Sequence, residues 1–327
     1  MFGDPIFQSL SGGPGADTVV GGRGPDEVFG GAGADMLIGN AGADFMNGGD
    51  GRDTLRGGLG RDNLNGNRRS DRIFGGRDGD FIEDPDGANA VMGGAGVDFI
   101  GSGPGDEAID GGTGRDLVSY AEVLSGGGSS SHCHAITVDL SKGSASGAGF
   151  GADALHHVET VLTGGGSDVL IGDAAANGFY AGFPCFRGRS PTESVTGKGG
   201  ADRVYFSEPL GGEGSSGRVL VDLQDHAAQL GNQGAAPVLY TLRSVENVTG
   251  TDLRDVILGN AGPNRLDGGP SNSGDVINGR RGDDVLIGNG GADQLDGGTG
   301  RNRNDGGNGI DTCLRPSEGA LAINCEQ

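Results

Sequence analysis

Acidic side chains recur at a fixed nine-residue spacing over the first third of the chain. From Gly12 to Ser119 the sequence divides into twelve consecutive units without insertion or deletion. The sixth positions of these units are Asp17, Asp26, Asp35, Asp44, Asp53, Asp62, Asp71, Asp80, Asn89, Asp98, Glu107 and Asp116. Because carboxylate oxygens are ligands for hard divalent cations, this column has the chemistry of a series of metal sites.

An apolar column at position eight indicates the element that positions these carboxylates. It consists of Val19, Val28, Leu37, Met46, Leu55, Leu64, Ile73, Ile82, Val91, Ile100, Ile109 and Val118. Glycine at positions one, two and four favours turn conformations, which leaves positions seven to nine for a short strand. Since successive strand residues face opposite sides, position eight alone points inward. Each unit is therefore predicted to be a six-residue turn followed by a three-residue strand.

Stacking of these units would bring the carboxylates close together. Two units make one coil of eighteen residues, so each turn lies above the turn two units earlier at the strand spacing of about 4.8 Å. The resulting ladders of carboxylates repel each other unless cations lie between them. Ca²⁺ binds about six to eight carboxylate and carbonyl oxygens, so we expect multiple Ca²⁺ ions between consecutive turns. A structural solenoid without calcium is the alternative.

The same period returns near the C-terminus. There the sixth positions are Asp255, Asn264, Asp275, Asp284, Asp293, Asn302 and Asp311, with a two-residue insertion before Asp275. The apolar column of this second array fails at Asn304 and ends on Cys313. We expect every aspartate in the sixth positions of both arrays to be a metal ligand.

The region between the arrays loses the strict period. It contains a duplication in which AITVDL leads to VETVLTG and RVLVDL leads to VENVTG, and repeat-like sequence surrounds Asp168 and Asp202. The alternating apolar residues predict short strands that continue the stack, with surface loops at 125–134 and 177–196. We include Asp168 and Asp202 among the expected metal ligands.

Composition limits the classes of partner. The chain has 73 Gly among 327 residues, no Trp and a net charge of −22, which argues against nucleic acid or an anionic membrane as a partner. No apolar run approaches the roughly 18 residues needed to cross a membrane, so no membrane insertion is expected. The first residues, MFGDPIFQSL, lack the regions of a signal peptide, and we expect any export signal to have been removed or to lie elsewhere.

The repeat units resemble a known family. GGRGPDEVF, GGAGADMLI and GGTGRDLVS match the G-G-x-G-x-D-x-U-x pattern of RTX, or haemolysin-type, calcium-binding repeats. The resemblance implies an all-β fold, a parallel β-roll or β-helix solenoid, with the aspartate at position six as the side-chain ligand. Departures from the pattern put individual sites in doubt; they are Arg68, Arg69, Asp78, Asp84, Asn89, Ser102 and Glu107.

The expected domain organisation follows the arrays. It consists of an N-terminal cap at 1–11, a first β-roll at 12–119, an irregular linking region with insertions at 120–249, a second β-roll at 250–314 and a disulfide-closed C-terminal cap at 315–327.

Alternate units of the first array stack on opposite sides of the coil, which gives two flanks. The first flank carries Asp26, Asp44, Asp62, Asp80, Asp98 and Asp116. The second flank carries Asp17, Asp35, Asp53 and Asp71, followed by Asn89 and Glu107. Asparagine lacks the charge and glutamate is one methylene longer. We therefore predict full calcium occupancy on the first flank and missing or weak sites on the second flank beyond Asp53.

Four cysteines suggest an oxidising compartment. Cys313 and Cys325 lie close in sequence, and a disulfide between them would hold the C-terminus. This arrangement resembles small exported calcium-binding proteins of Gram-positive bacteria, so we expect an extracellular bacterial protein. A Cys133–Cys185 pair is left open. His132, Cys133 and His134 have side chains that suit a transition metal, but a solvated loop is the preferred interpretation.

No catalytic signature is present in the sequence. The chain contains no G-x-S-x-G, H-E-x-x-H or Walker A pattern, so an enzyme is not expected. We expect a secreted protein whose β-rolls fold or rigidify on binding Ca²⁺ and whose role is structural or interactive. The alternatives are a surface adhesin or glycan-binding module, with a cell-surface glycan or protein as partner, and a β-solenoid polysaccharide lyase or epimerase.

Overall fold

The computed structural model describes residues 7–121, 134–180, 191–207, 217–232, 235–270, 272–314 and 322–325. Within these residues all regular secondary structure is β-strand, which confirms the all-β prediction. No helix among them is long and apolar enough to cross a membrane. The chain divides into two compact units: unit 1 is 1–129 with 136–163, and unit 2 is 130–135 with 164–327.

The described residues of unit 1 form seventeen strands, most of which belong to a parallel β-solenoid. They are β1 (Ser9–Pro14), β2 (Thr18–Gly22), β3 (Glu27–Ala32), β4 (Met36–Ala41), β5 (Phe45–Asp50), β6 (Thr54–Leu59), β7 (Asn63–Arg68), β8 (Arg72–Arg77), β9 (Phe81–Asp84), β10 (Ala90–Gly96), β11 (Phe99–Ser102), β12 (Ala108–Gly114), β13 (Leu117–Tyr120), β14 (Ile136–Asp139), β15 (Ser144–Gly147), β16 (Gly151–His156) and β17 (Thr160–Thr163).

Odd- and even-numbered strands of the first array lie in two different sheets. Strand β4 pairs with β6 so that Met36 is opposite Thr54, and β10 pairs with β12 so that Ala90 is opposite Ala108. The offset between paired residues is two repeat units. The register confirms the predicted coil of two nonapeptides.

Position eight forms the core of this solenoid. Every apolar residue in that column from Val28 to Val118 is at most 4% exposed, whereas Val19 in the first coil is half-buried. Its neighbours at positions seven and nine face outward, and Met36 and Phe45 are about two-fifths exposed. The strand alternation predicted from the sequence is therefore the alternation in the structure.

The last coils of unit 1 contain an insertion. The partner of Ala108 in β12 is Ala154 in β16, and strands β14, β15 and β16 form an antiparallel meander within this longer connection. The solenoid resumes at β17, where Val161 lies opposite Val118 and is fully buried.

Unit 2 contains the remaining strands. They are β18 (Val169–Ile171), β19 (Gly178–Tyr180), β20 (Thr192–Thr196), β21 (Arg203–Tyr205), β22 (Val219–Asp222), β23 (Ala227–Asn232), β24 (Ala235–Arg243), β25 (Asn247–Thr249), β26 (Val256–Leu258), β27 (Arg265–Asp267), β28 (Val276–Asn278), β29 (Val285–Ile287), β30 (Gly290–Gly291), β31 (Gln294–Asp296), β32 (Arg303–Asp305), β33 (Asn308–Gly309), β34 (Thr312–Leu314) and β35 (Ala322–Ile323). Most pairs are parallel, and β22, β23 and β24 form an antiparallel meander.

The core of unit 2 follows the same column. Ile257, Leu266, Ile277, Leu286 and Leu295 are at most 1% exposed. Asn304 breaks the apolar column yet is fully buried, and its Nδ2 donates to the carbonyl oxygen of Leu314 at 3.2 Å. A backbone bond thus replaces the apolar contact that the column otherwise makes.

The predicted surface loop at 177–196 is wrong at both ends. Strands β19 and β20 occupy 178–180 and 192–196, and Phe179 and Val195 are completely buried. Phe179 and Val195 each follow a polar residue, Asn177 or Glu193, by two positions, which is the spacing of positions six and eight. Because these apolar residues are buried, each end of the predicted loop forms a strand of the stack. The predicted loop at 125–134 lies almost entirely outside the described residues.

The C-terminal disulfide prediction is confirmed. Cys313 and Cys325 are bonded, with their Cα atoms 5.8 Å apart. The proposed Cys133–Cys185 pair lies outside the described residues.

Candidate calcium sites

Each regular aspartate at position six accepts a hydrogen bond from the coil before it. The Asp26 N–H donates to Oδ1 of Asp44 at 2.8 Å, and the Asp44 N–H donates to Oδ1 of Asp62 at 2.9 Å. The same bond recurs along the first flank to Asp116 and along the second flank to Asp71. The turn backbone therefore fixes one oxygen of each carboxylate.

The other oxygen of these carboxylates is buried and accepts no hydrogen bond from a described residue. This holds for Oδ2 of Asp17, Asp26, Asp35, Asp44, Asp53, Asp62, Asp71, Asp80, Asp98, Asp116, Asp202, Asp275, Asp284, Asp293 and Asp311. All of them except Asp17, which lies in the first coil, are at most 3% exposed. Burying an ionised oxygen without a partner costs free energy. We therefore expect each of these oxygens to bind a cation or a proton.

Glycine at position one leaves a space in front of that oxygen. A Cβ placed on Gly21 would lie 2.7 Å from Oδ2 of Asp26 and 3.0 Å from the carbonyl oxygen of Gly39 in the next coil. We call this space a turn cradle. A carboxylate oxygen and a backbone carbonyl oxygen bound it, and Ca²⁺ accepts both kinds of ligand.

The carboxylate of a regular unit thus connects three successive coils. Oδ1 of Asp26 accepts the N–H of Gln8 from the coil before at 2.9 Å, while Oδ2 faces the carbonyl of Gly39 in the coil after. The sixth position therefore both orders the turn and lines the cradle.

Burial raises the pKa of several aspartates in the turns. The pKa of Asp62, Asp71 and Asp80 is raised to about 7, chiefly by burial, and nearby carboxylates add to the rise. The backbone N–H bond to each carboxylate lowers its pKa but does not offset burial. A cation in the cradle would favour the ionised form, so uptake of the cation and release of protons are coupled.

Unit 2 repeats this geometry in the second array. Oδ1 of Asp275 accepts the N–H of Asp255 at 2.8 Å, and Oδ1 of Asp293 accepts the N–H of Asp275 at 2.7 Å. Oδ1 of Asp311 continues the series at 2.8 Å from the N–H of Asp293. Asp284 accepts the N–H of Asn264 at 2.9 Å.

Asp255 differs from the other expected ligands. Its Oδ1 accepts the Val219 N–H at 2.6 Å, and its Oδ2 accepts the Thr251 N–H at 2.6 Å. The Thr251 hydroxyl lies within 3.1 Å of both oxygens. Because the protein itself satisfies this carboxylate, Asp255 is less suited to a cation than its neighbours.

Four further acids occupy position six and are absent from the predicted ligand set. Asp153, Glu159, Glu193 and Glu246 accept backbone N–H bonds from Glu107, Asp116, Asp168 and Asp202, at 2.9 to 3.0 Å. Each of the four precedes a buried apolar residue by two positions, as in VETV and VENV. This two-residue spacing was the sequence signal that could have identified these four acids. Asp168 and Asp202 therefore lie in ladders, with glutamate as the next member.

The second flank changes beyond Asp71. Asn89 still accepts the Asp71 N–H through Oδ1 at 2.9 Å, so the backbone bond is kept while the charge is lost. Glu107 accepts the hydroxyl of Ser102 at 3.1 Å, and burial beside Asp153 raises its pKa to about 9. The predicted weakness of calcium binding on this flank stays a prediction.

Among the described residues, no group of three or more His, Cys, Asp and Glu side chains is arranged to hold a metal. Sites in the turns would therefore draw on backbone carbonyls together with one or two carboxylates. His132 and Cys133, considered above for a transition metal, lie outside the described part of the chain.

Comparison with known families agrees with this arrangement. The model of the RTX calcium-binding nonapeptide repeat matches residues 11–46, 47–82, 86–118, 158–183, 249–272 and 271–303, which is more than half of the chain. The chain belongs to the RTX calcium-binding repeat family. A search of curated proteins found no match. As an RTX repeat protein, the chain is a calcium-binding parallel β-solenoid, and the turn cradles fit Ca²⁺ by their donor set.

Proposed function

We propose that this RTX protein is an exported calcium-dependent scaffold whose β-rolls fold or stiffen when Ca²⁺ fills the turn cradles. The observation that carries the proposal is the row of buried Oδ2 atoms, most of which share a turn cradle with a backbone carbonyl of the next coil. Calcium would supply the positive charge that these oxygens lack. The aspartates at position six act as side-chain ligands and the glycine at position one keeps the cradle open.

Coupling of folding to calcium follows from the charge and the small core. The net charge is −22, the chain has no Trp, and each repeat unit buries one apolar side chain at position eight. Without a cation the folded state must bury carboxylates or keep them protonated. Binding energy gained only in the folded state then becomes folding energy.

Circular dichroism of the intact chain, with Ca²⁺ and after chelation, tests the coupling. We expect the β-sheet signal to be strong in millimolar Ca²⁺ and much reduced in chelator, with Mg²⁺ at equal ionic strength as the control. An unchanged spectrum and unchanged melting temperature in chelator would contradict calcium-dependent folding. Calorimetric titration would then separate a calcium-binding but prefolded scaffold from one that binds no calcium.

Export is supported by the disulfide between Cys313 and Cys325, because such bonds persist in oxidising compartments. We expect the protein in the culture medium of its bacterial source with this bond formed. Non-reducing peptide mapping of secreted material measures it. Free thiols at both positions would contradict the proposal.

The proposed role is structural or interactive rather than catalytic. The acids analysed above lie in turn ladders, where backbone N–H groups already orient them. A screen of polysaccharide substrates with the calcium-loaded protein tests this assignment. Chain cleavage or epimerisation above the level of a heat-denatured control would overturn it.

A further inference from the structure

Asp84 occupies a position that glycine holds in most units of the first array. It is the first residue of the unit 84–92, and ten of the twelve units begin with glycine. The matches to the RTX model are interrupted at residues 83–85, so Asp84 falls outside the family pattern. The acid that this unit should carry at position six is replaced by Asn89.

The side chain of Asp84 reaches into the turn cradle of the coil before it. A Cβ placed on Gly66 would lie 2.5 Å from Oδ2 of Asp71 and 2.5 Å from Oδ2 of Asp84. In the regular cradle at Gly21, the second oxygen belongs to a backbone carbonyl. Here a carboxylate takes that place, so two acids from successive coils line one cradle.

No described residue forms an ion pair with either acid. Asp84 is 2% exposed, and neither of its oxygens accepts a hydrogen bond of normal geometry from a described residue. The Asp86 N–H is close enough to lower its pKa but does not form such a bond. Oδ2 of Asp71 likewise accepts no hydrogen bond from the described part of the chain.

The two arginines of the same turn point elsewhere. Arg68 pairs with the exposed carboxylate of Asp50 at 3.3 Å, and about three-quarters of its own side chain is exposed. Arg69 is exposed as well. Their guanidinium groups therefore lie at the surface and do not neutralise the cradle.

We propose that Asp71 and Asp84 form a calcium site in which the Asp84 carboxylate replaces the glycine carbonyl of a regular RTX cradle. The acid of the unit 84–92 has in effect moved from position six to position one. The second flank would thereby keep a cation beyond Asp53, where the repeat pattern alone predicts a weak or missing site. Two carboxylates suit a hard cation and would also suit Tb³⁺. This inference rests on the proposed calcium function.

Anomalous diffraction from crystals of the intact chain grown with Ca²⁺, or soaked with Tb³⁺, locates the ion directly. We expect a peak within about 2.3 to 2.6 Å of a carboxylate oxygen of both Asp71 and Asp84. Peaks in the regular cradles of the first flank with none here would overturn this inference alone. Absence of peaks in every cradle would contradict the proposed function as well.

Asp84→Asn gives the matching solution test, because asparagine keeps the shape and removes the charge. We expect calorimetry to show a loss of one bound Ca²⁺ per chain, with Asp86→Asn, an exposed acid in the same turn, unchanged. Unchanged stoichiometry in Asp84→Asn would mean that Asp71 and Asp84 merely share a proton.

Asp84→Gly guards against simple misfolding. It restores the donor set of a regular cradle, Oδ2 of Asp71 with a glycine carbonyl, so we expect the ion to be kept but bound more weakly than in the wild type. Equal or tighter binding in Asp84→Gly, in protein whose circular dichroism is native, would count against a ligand role for the Asp84 carboxylate.

Discussion

The Asp44 N–H donates a 2.9 Å hydrogen bond to Oδ1 of Asp62, while Oδ2 of Asp62 is buried and accepts no hydrogen bond from any residue that the structure describes. One carboxylate therefore has a structural oxygen and an oxygen left for a cation. Substitutions can separate the two roles, because an amide oxygen can accept the backbone bond while the side chain carries no charge.

Asp62→Asn tests this separation. We expect the fold and the Asp44 bond to persist, while the Ca²⁺ affinity of that cradle falls by about tenfold or more, equivalent to about 1.4 kcal/mol. Calorimetric titration of the intact chain measures the change. Asp50→Asn, which removes an exposed charge, should bind calcium like the wild type. Equal titrations of all three proteins would contradict a ligand role for Asp62.

Stability should depend on pH in opposite senses with and without calcium. Burial raises the folded-state pKa of Asp62, Asp71 and Asp80 from 3.8 to about 7. Between about pH 4 and pH 7 the calcium-free folded state then binds more protons than the unfolded state, so its stability falls as pH rises. In saturating calcium, protons compete with the ion, so acidification should weaken the calcium-loaded protein.

Melting temperatures from pH 5 to pH 8, in chelator and in millimolar Ca²⁺, measure both trends. We expect the melting temperature in chelator to decrease with rising pH, and the increase caused by calcium to be largest at pH 8. A chelated protein that becomes more stable from pH 5 to pH 8 would show that these carboxylates are not held in the buried state described here.

Gly30→Ala should close one turn cradle at a glycine whose own φ alanine can adopt. The added Cβ would lie 2.5 Å from the carbonyl oxygen of Gly48 and 2.7 Å from Oδ2 of Asp35. We expect a smaller rise in melting temperature on calcium addition than in wild type. Gly199→Ala is the control, since its Cβ would meet no atom closer than 3.6 Å. Identical calcium-induced shifts in the two variants would contradict the cradle.

Arg280 should contribute to the stability of unit 2 through its ion pair with Asp222. Both guanidinium contacts to this carboxylate are 2.7 Å, and Nη1 also donates to the carbonyl oxygen of Gly259 at 2.9 Å. The hydrogen bond from Arg280 lowers the pKa of Asp222, and both side chains are half-buried. A double-mutant cycle with Arg280→Ala and Asp222→Asn should give a coupling energy of about 1 kcal/mol.

Urea unfolding at fixed calcium concentration measures this coupling energy. Asp225→Asn removes an exposed charge near the pair and should change stability little. Purely additive effects of the two substitutions would mean that the ion pair contributes nothing beyond its separate side chains.

The sequence predicted the fold where its period is unbroken. Leu37 and Leu55 are paired and buried as column eight requires, because an uninterrupted count of nine residues fixes both strand and register. Phe179 and Val195 were wrongly predicted to lie in a loop because the nine-residue count is interrupted there. Each follows a polar residue, Asn177 or Glu193, by two positions as in a repeat unit, but the irregular residues between them interrupt the nine-residue count along the chain.

The candidate ligands were likewise predicted where the nine-residue period is unbroken and missed where insertions interrupt it. Glu159 and Glu246 were missed because they are glutamates and follow insertions, although the buried valine two residues later marks their position. Asp255 fitted the pattern, yet Thr251 and Val219 satisfy its oxygens. Such a competing donor is visible only in the three-dimensional structure, because it comes from side-chain and backbone geometry rather than from spacing.

A carboxylate that touches the coils on both sides makes the array a one-dimensional cooperative system. An ion that orders the cradle at Asp44 also orders the carboxylate that the N–H of Asp26 holds from the preceding coil. Occupancy should then spread along a flank from neighbour to neighbour, as in other linear repeat proteins. The steepness of a calcium titration would report the number of consecutive intact coils rather than the affinity of any single site.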